Sequence, residues 1–68
     1  MEPTHFIRTD DEYGRMLDAC NLYNCTDEEA REELERENGR FKGRQRTSYL
    51  YRREHGGLTL LTTKKQKR

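Results

Sequence analysis

The sequence has little material from which to build a hydrophobic core. Only 29% of its 68 residues are hydrophobic, 40% are charged, and tryptophan is absent. A chain of this length forms at most one domain and buries only about 60% of the surface that it exposes when unfolded. We therefore expect a marginally stable monomer, or a fold that self-association or a partner stabilises. A deep catalytic pocket is also difficult to build from so few apolar side chains.

Long apolar segments are missing as well. No run of residues approaches the ~18 apolar positions that a membrane-spanning helix requires. The N-terminal segment MEPTHFIRTDDE lacks the basic and then apolar pattern of a secretory signal. The sequence therefore predicts a cytoplasmic protein with no membrane partner.

Cysteine is scarce, because Cys20 and Cys25 are the only two. A reducing compartment argues against a disulfide between them. With His5 and His55 they could form a Cys2His2 zinc site, but the histidines lie far away on opposite sides of the cysteine pair. Cys20 also falls on the apolar stripe of a predicted helix, where a buried thiol needs no metal. We predict no metal and no cofactor.

The small net charge of +1 conceals two halves of opposite sign. Residues 1–37 hold twelve acidic and four basic side chains, a balance of −8, whereas residues 38–68 hold ten basic and one acidic, a balance of +9. Such segregation suggests an oppositely charged partner for each half. Alternatively, the two halves pack together and neutralise each other.

Two segments of the acidic half begin with the same pattern, T-D-x-E, at Thr9 and at Thr26. This is the capping box of a helix N-terminus, in which the threonine and the glutamate three residues later each bond to the other's backbone N–H. The pattern predicts a first helix over residues 10–22 and a second over residues 27–38, with Gly39 as its stop. The apolar stripe of the first helix consists of Tyr13, Met16, Leu17 and Cys20.

The basic half contains a strong hairpin signal, because Gly56 and Gly57 separate two segments rich in strand-forming residues. With the two glycines as the loop, Tyr49, Tyr51, Leu58 and Leu60 share one face, which we expect to cover the first helix. The segment THFIR could add a third strand. The predicted fold is a small α+β domain, β-α-α-β-β, over residues 1–63, followed by a disordered basic tail over residues 64–68.

Cationic side chains are spread over the connector before the hairpin, its tip and the tail, where they can attract phosphate. Tyrosines interleave with them and could stack on unpaired bases. The candidate nucleic-acid-binding residues are Arg40, Lys42, Arg44, Arg46, Arg52, Arg53, Lys64, Lys65, Lys67 and Arg68. Two helices followed by a basic hairpin have the outline of a winged helix. The second helix, which would then enter the major groove of DNA, is acidic, so the phosphates would repel it.

Enzyme signatures are missing, since the sequence has no phosphate-binding glycine loop and no nucleophile–base motif. His5 and His55 are better interpreted as a strand residue and a turn residue than as acid–base groups. We expect a small non-enzymatic regulatory or accessory protein that contacts nucleic acid or a nucleoprotein complex through its basic half.

Two alternatives of another class stay open. One is a protein-binding inhibitor or adaptor, of the kind found in phages and mobile elements, whose acidic helix occupies a basic site on a partner. Its candidate residues are Glu29, Glu33 and Glu37. The other is an assembly component whose hairpin completes a neighbour's sheet.

Overall fold

The computed structural model describes residues 2–67, which form one helix packed on one face of a four-stranded antiparallel sheet. The elements in chain order are β1 (His5–Asp11), β2 (Met16–Leu22), α1 (Asp27–Gly39), β3 (Arg46–Glu54) and β4 (Gly57–Gln66). The strand order in the sheet is β2-β1-β3-β4. The predicted α+β class is confirmed. Within residues 2–67 the helix lacks both the length and the apolar character that a membrane span requires.

The predicted first helix is wrong, because residues 10–22 form the end of β1, a turn and β2. Asp11 closes the turn, since its carboxylate accepts hydrogen bonds from the backbone N–H groups of Tyr13 and Arg15, both at 2.9 Å. Gly14 supplies the positive φ of +79° that this turn needs. The helical stripe therefore does not exist, and Tyr13 is 73% exposed.

The alternation of side chains in β2 explains why a strand forms there. Cys20 and Leu22 pack against the core, whereas Ala19 and Asn21, which alternate with them, are exposed. This period of two is the strand pattern, and it competes with the period of 3.6 in the same residues. Thr9 is likewise no helix cap: its hydroxyl is buried 2.7 Å from that of Ser48.

The second predicted helix is confirmed as α1, and its capping box is formed. Thr26 Oγ1 accepts a hydrogen bond from the backbone N–H of Glu29, and Glu29 Oε1 accepts one from the backbone N–H of Thr26. The predicted stop at Gly39 is wrong, because Gly39 is the last residue of the helix and Arg40 is its C-cap. Ala30 and Leu34 are its buried apolar residues, and they pack with Ile7 of β1 and Leu50 of β3 to form the core. Four buried apolar side chains make a small core, as the composition predicts.

The C-terminal hairpin is confirmed, but its register differs from the prediction. Glu54 pairs with Gly57, so the two-residue loop is His55–Gly56, with Gly56 at φ +77°. The predicted faces are also exchanged. Leu50 is fully buried beneath the helix, whereas Tyr49 and Tyr51 lie on the opposite face of the sheet. The reason is that the helix covers the side of β3 that carries Arg46, Ser48 and Leu50, and not the side that carries the tyrosines.

The predicted tail boundary at Lys64 is corrected as well. β4 continues to Gln66, and Lys64 and Lys65 pair with Ser48 and Thr47 of β3. The register shifts opposite Leu50 and Tyr51 of β3, where Leu61 of β4 is an extra, unpaired residue that packs against the core. Arg68 lies outside the described residues.

Candidate nucleic-acid interface

Three of the candidate cations are neutralised by acidic side chains on the helix side of the sheet. Arg52 Nη1 lies 2.6 Å from Asp27 Oδ2, and its Nε lies 2.9 Å from Glu54 Oε1. Lys64 Nζ lies 2.6 Å from Glu35 Oε2. Arg40 Nη1 lies 2.8 Å from Glu37 Oε2. Some acidic side chains of the first half of the sequence therefore pair with basic side chains of the second half.

Arg46 is buried and has a structural role. It is only 5% exposed, and its Nε donates to the backbone oxygen of Asn38 at 3.0 Å and to Asn38 Oδ1 at 3.2 Å. Its Nη1 donates to the backbone oxygen of Arg44. Burial leaves this guanidinium almost no surface to offer to a phosphate.

The other candidate cations that the structure describes are accessible. Within residues 2–67, five of them form no ion pair: Lys42, Arg44, Arg53, Lys65 and Lys67. All five are exposed. Exposed cations without a protein counter-charge can release counterions when they meet phosphate.

Two of these free cations lie on the sheet face that the helix leaves open. Side chains alternate along a strand, so Arg53 shares the face of Tyr49 and Tyr51. Lys65 shares it as well, because Lys65 is the cross-strand partner of Thr47 on the same face. We call this surface the open face.

Aromatic side chains occupy the middle of the open face. Phe6 of β1 is the cross-strand partner of Tyr51 of β3, and their ring centroids are 6.2 Å apart with an interplanar angle of 35°. The next pair along the same strands is Arg8 and Tyr49. All four side chains are partly exposed. Phe6 and Arg8 were absent from the sequence-based site, although the alternation of HFIRT is a usable signal for their shared face.

Arg8 is held in place by Asp10. Its Nε lies 2.6 Å from Asp10 Oδ1, and the hydrogen bond raises the pKa of the guanidinium, with Coulomb attraction to Asp10 as the next cause. Within residues 2–67 the open face carries three basic side chains, Arg8, Arg53 and Lys65, and one acidic side chain, Asp10. Its balance is positive, whereas α1 holds seven acidic and two basic side chains.

The residues proposed for the alternative acidic site are already engaged. Glu29 belongs to the capping box, Glu33 Oε1 lies 3.1 Å from Arg36 Nη2, and Glu37 binds Arg40. On α1, the exposed acids without an ion pair in the described part of the chain are Glu28 and Glu32, together with the capping Glu29.

His5 links the sheet to the start of the helix. It is 2% exposed; its Nε2 lies 2.8 Å from Asp27 Oδ1, and its Nδ1 lies 2.9 Å from Thr4 Oγ1. Both ring nitrogens are thus occupied. The hydrogen bond from His5 is the largest cause that lowers the pKa of Asp27, and Arg52 lowers it further. His55 lies exposed in the hairpin loop.

The cysteines are free thiols. Burial raises the pKa of Cys20 to about 11, and the nearby carboxylates of Glu37 and Asp18 add to the effect. Over residues 2–67, no three histidine, cysteine or acidic side chains lie together as metal ligands would.

Comparison of the chain with protein-family models, with curated proteins and with solved structures finds no match.

Proposed function

We propose that this chain is a small, non-enzymatic regulatory or accessory protein that contacts nucleic acid, or a nucleoprotein complex, through the basic C-terminal half. The observation that carries the proposal is the separation of its cations into two groups. The helix-side group is neutralised by carboxylates, and the exposed group has no ion pair within residues 2–67. Free cations are the ones available to phosphate, and counterion release makes such contacts favourable at low salt.

The same separation supplies a matched experiment. In one variant Arg53, Lys65 and Lys67 are changed to Gln, and in the control Arg40, Arg52 and Lys64 are changed to Gln. Both variants lose three positive charges, but only the first loses exposed cations without an ion pair. Binding to labelled oligonucleotides is measured by fluorescence anisotropy between 50 and 200 mM salt, after circular dichroism has shown that both variants are folded.

We expect the first variant to bind more weakly to every sequence, with a shallower salt dependence. Each lost contact lowers the slope of log K against log salt by about 0.7 for single strands and about 0.9 for B-DNA. The control should keep most of the wild-type slope. Wild-type protein without nucleic-acid affinity at 50 mM salt would overturn the proposal.

A second candidate function is capture of a basic protein partner by α1, and the observation that favours it is the excess of acidic side chains on that helix. Its unpaired surface carries Glu28 and Glu32. Changing both to Gln should then abolish partner capture while the Gln variant of Arg53, Lys65 and Lys67 retains it. Affinity purification with and without nuclease distinguishes the two functions, because only capture through nucleic acid is nuclease-sensitive.

A further inference from the structure

The open face has no second layer over its aromatic side chains in the described part of the chain. The helix contacts β1, β3 and β4 from the other side of the sheet. Phe6, Tyr49 and Tyr51 therefore remain partly exposed, and Leu60 beside Tyr51 is 51% exposed. A contiguous exposed apolar patch is informative, because such patches often mark interaction sites, whereas single exposed apolar side chains do not.

The arrangement of this patch is regular. Phe6 and Tyr51 form one cross-strand row, and Arg8 and Tyr49 form the next. Rows on one face of a strand are two residues apart, which corresponds to roughly 6.7 Å. On the flanks of the second row lie the small residues Ala19 of β2 and Thr63 of β4. These small neighbours leave the side chain of Tyr49 partly exposed.

The charge of the open face selects the kind of ligand. A face-to-face dimer would bring together two faces that each carry the unpaired cations Arg53 and Lys65, so a second copy of this chain is disfavoured. A polyanion with flat apolar groups matches both features, because phosphates meet the cations and bases stack on the rings. That combination describes a nucleic acid with unpaired bases.

The width of the sheet argues for a single strand over a duplex. Four strands about 4.8 Å apart span about 14 Å between the outer strands, before side chains are added. The major groove of B-DNA is about 12 Å wide and admits a helix or a two-stranded ribbon. Bases inside a duplex also keep their faces covered by their neighbours, whereas those of a single strand can lie on Phe6, Tyr49 and Tyr51.

We propose that the open face binds single-stranded nucleic acid by stacking unpaired bases on Phe6, Tyr49 and Tyr51, with phosphates held by Arg53 and Lys65. This inference rests on the proposed nucleic-acid function and specifies its ligand. Base stacking is tolerant of sequence, since every base has an aromatic face. Recognition of one base order is therefore not expected.

The experiment uses the full chain and three probes of equal length: single-stranded oligothymidylate, a blunt duplex, and an abasic oligonucleotide with the same phosphates but no bases. Affinities are measured by anisotropy at 50 mM salt. The variants are Tyr49→Leu and Tyr51→Leu, which keep apolar volume and remove the ring. The matched control is Tyr13→Leu, because Tyr13 is an exposed tyrosine in the β1–β2 turn, away from the open face.

We expect the single strand to bind more tightly than the duplex and the abasic probe. Each stacked base contributes about 1–3 kcal/mol, so each open-face variant should weaken single-strand binding by roughly 5- to 140-fold. Its salt slope should stay unchanged because no cation is removed, and binding by Tyr13→Leu should equal the wild type.

An independent signal comes from tyrosine fluorescence, since the chain has four tyrosines and no tryptophan. In a variant with Tyr13→Phe and Tyr23→Phe, the remaining emission comes from Tyr49 and Tyr51. Stacked bases should quench this emission, and the abasic probe should leave it unchanged. This measurement needs no ring deletion and therefore does not depend on the folding of the Leu variants.

Failure of this inference differs from failure of the proposed function. Equal binding of all three probes, with no effect of the tyrosine changes, would overturn base stacking and leave phosphate contact intact. Absence of binding to every probe at 50 mM salt would overturn both. Open-face variants that change sedimentation but leave oligonucleotide affinity intact would instead identify the face as a self-association surface and overturn the inference.

Discussion

Arg46 on β3 donates its Nε hydrogen to Asn38 at the end of α1, at 3.0 Å from the backbone oxygen and 3.2 Å from Oδ1. Asn38 in turn donates through Nδ2 to Ser48 Oγ at 2.9 Å. Both Asn38 and Ser48 are fully buried. A polar network thus joins α1 to β3 beside the small apolar core. Its hydrogen bonds fix the orientation in which the helix packs on the sheet.

Removal of the amide should therefore be costly. Asn38→Ala leaves the buried Ser48 hydroxyl and the Arg46 guanidinium with fewer partners, and an unsatisfied buried group costs about 1–3 kcal/mol. We expect urea denaturation to show a loss of that size in the free energy of unfolding. Asn21→Ala, at an exposed position, is the control and should change the midpoint little. Equal effects of the two changes would contradict the role of the network.

The first turn of α1 should make stability depend on pH in the acid range. His5 and Arg52 lower the pKa of Asp27, so the ionised carboxylate is favoured in the folded state. That contribution is fully present above the unfolded pKa, near 3.8, and is lost as pH falls through the lower folded value. Asp27→Asn should reduce the urea midpoint at pH 7 and should narrow the difference between pH 7 and pH 3.

Glu28→Gln is the matched control for Asp27→Asn. It removes one negative charge from the same helix turn, and Glu28 is exposed without an ion pair within residues 2–67. Its urea midpoint at pH 7 should stay close to the wild type. A loss equal to that of Asp27→Asn would show that the helix dipole, and not the His5–Asp27–Arg52 contacts, gives the effect.

The capping box at Thr26 supports a local prediction. Thr26→Ala removes the acceptor of the Glu29 N–H bond and should lower the free energy of unfolding by about 1 kcal/mol. Thr26→Ser keeps the hydroxyl and should retain most of the stability. Chemical denaturation measures both variants, and an unchanged midpoint for the alanine variant would contradict the cap.

The two glycines of the hairpin, Gly56 in the loop and Gly57 at the start of β4, differ in backbone conformation. Gly56 has φ +77°, a conformation that costs a residue with a side chain roughly 1–2 kcal/mol, whereas Gly57 has no positive φ and open space around its Cα. Gly56→Ala should therefore destabilise the protein by about 1 kcal/mol, and Gly57→Ala should not. Thermal melting of both variants tests the observed register, because a Gly56–Gly57 loop would make both changes costly.

The thiol of Cys20 should react slowly at neutral pH. Its pKa of about 11 keeps it protonated, and the thiolate is the reactive form. In a Cys25→Ser variant, alkylation by iodoacetamide, followed by mass spectrometry, should be slow at pH 8 and should accelerate towards pH 11. The contribution of the protonated thiol to stability is present below pH 9.0 and is lost as pH rises through the folded pKa. Labelling at pH 8 as fast as that of an unfolded cysteine peptide would contradict the burial of Cys20.

Local chemistry in the sequence determined α1 and the C-terminal hairpin. The Thr26 box and the acidic first turn are signals that act within a few residues, so they predict where the helix begins without knowledge of its neighbours. The hairpin is predicted for the same reason, because a glycine at its loop accepts positive φ.

Tertiary contacts decided the rest. Residues 10–22 satisfy a helical stripe and a capping pattern, but pairing β2 with β1 satisfies their backbone groups and places Cys20 and Leu22 on the core. Which face of β3 is buried depends on where the helix lies, because Leu50 and the tyrosines alternate along the strand whichever face is covered. Arg46 and Ser48 share the face of Leu50, and their hydrogen bonds to Asn38 place that face beneath α1. Sequence alone shows the alternation of a strand. The packing of a distant element determines which side is covered, and here it leaves Tyr49 and Tyr51 on the open face.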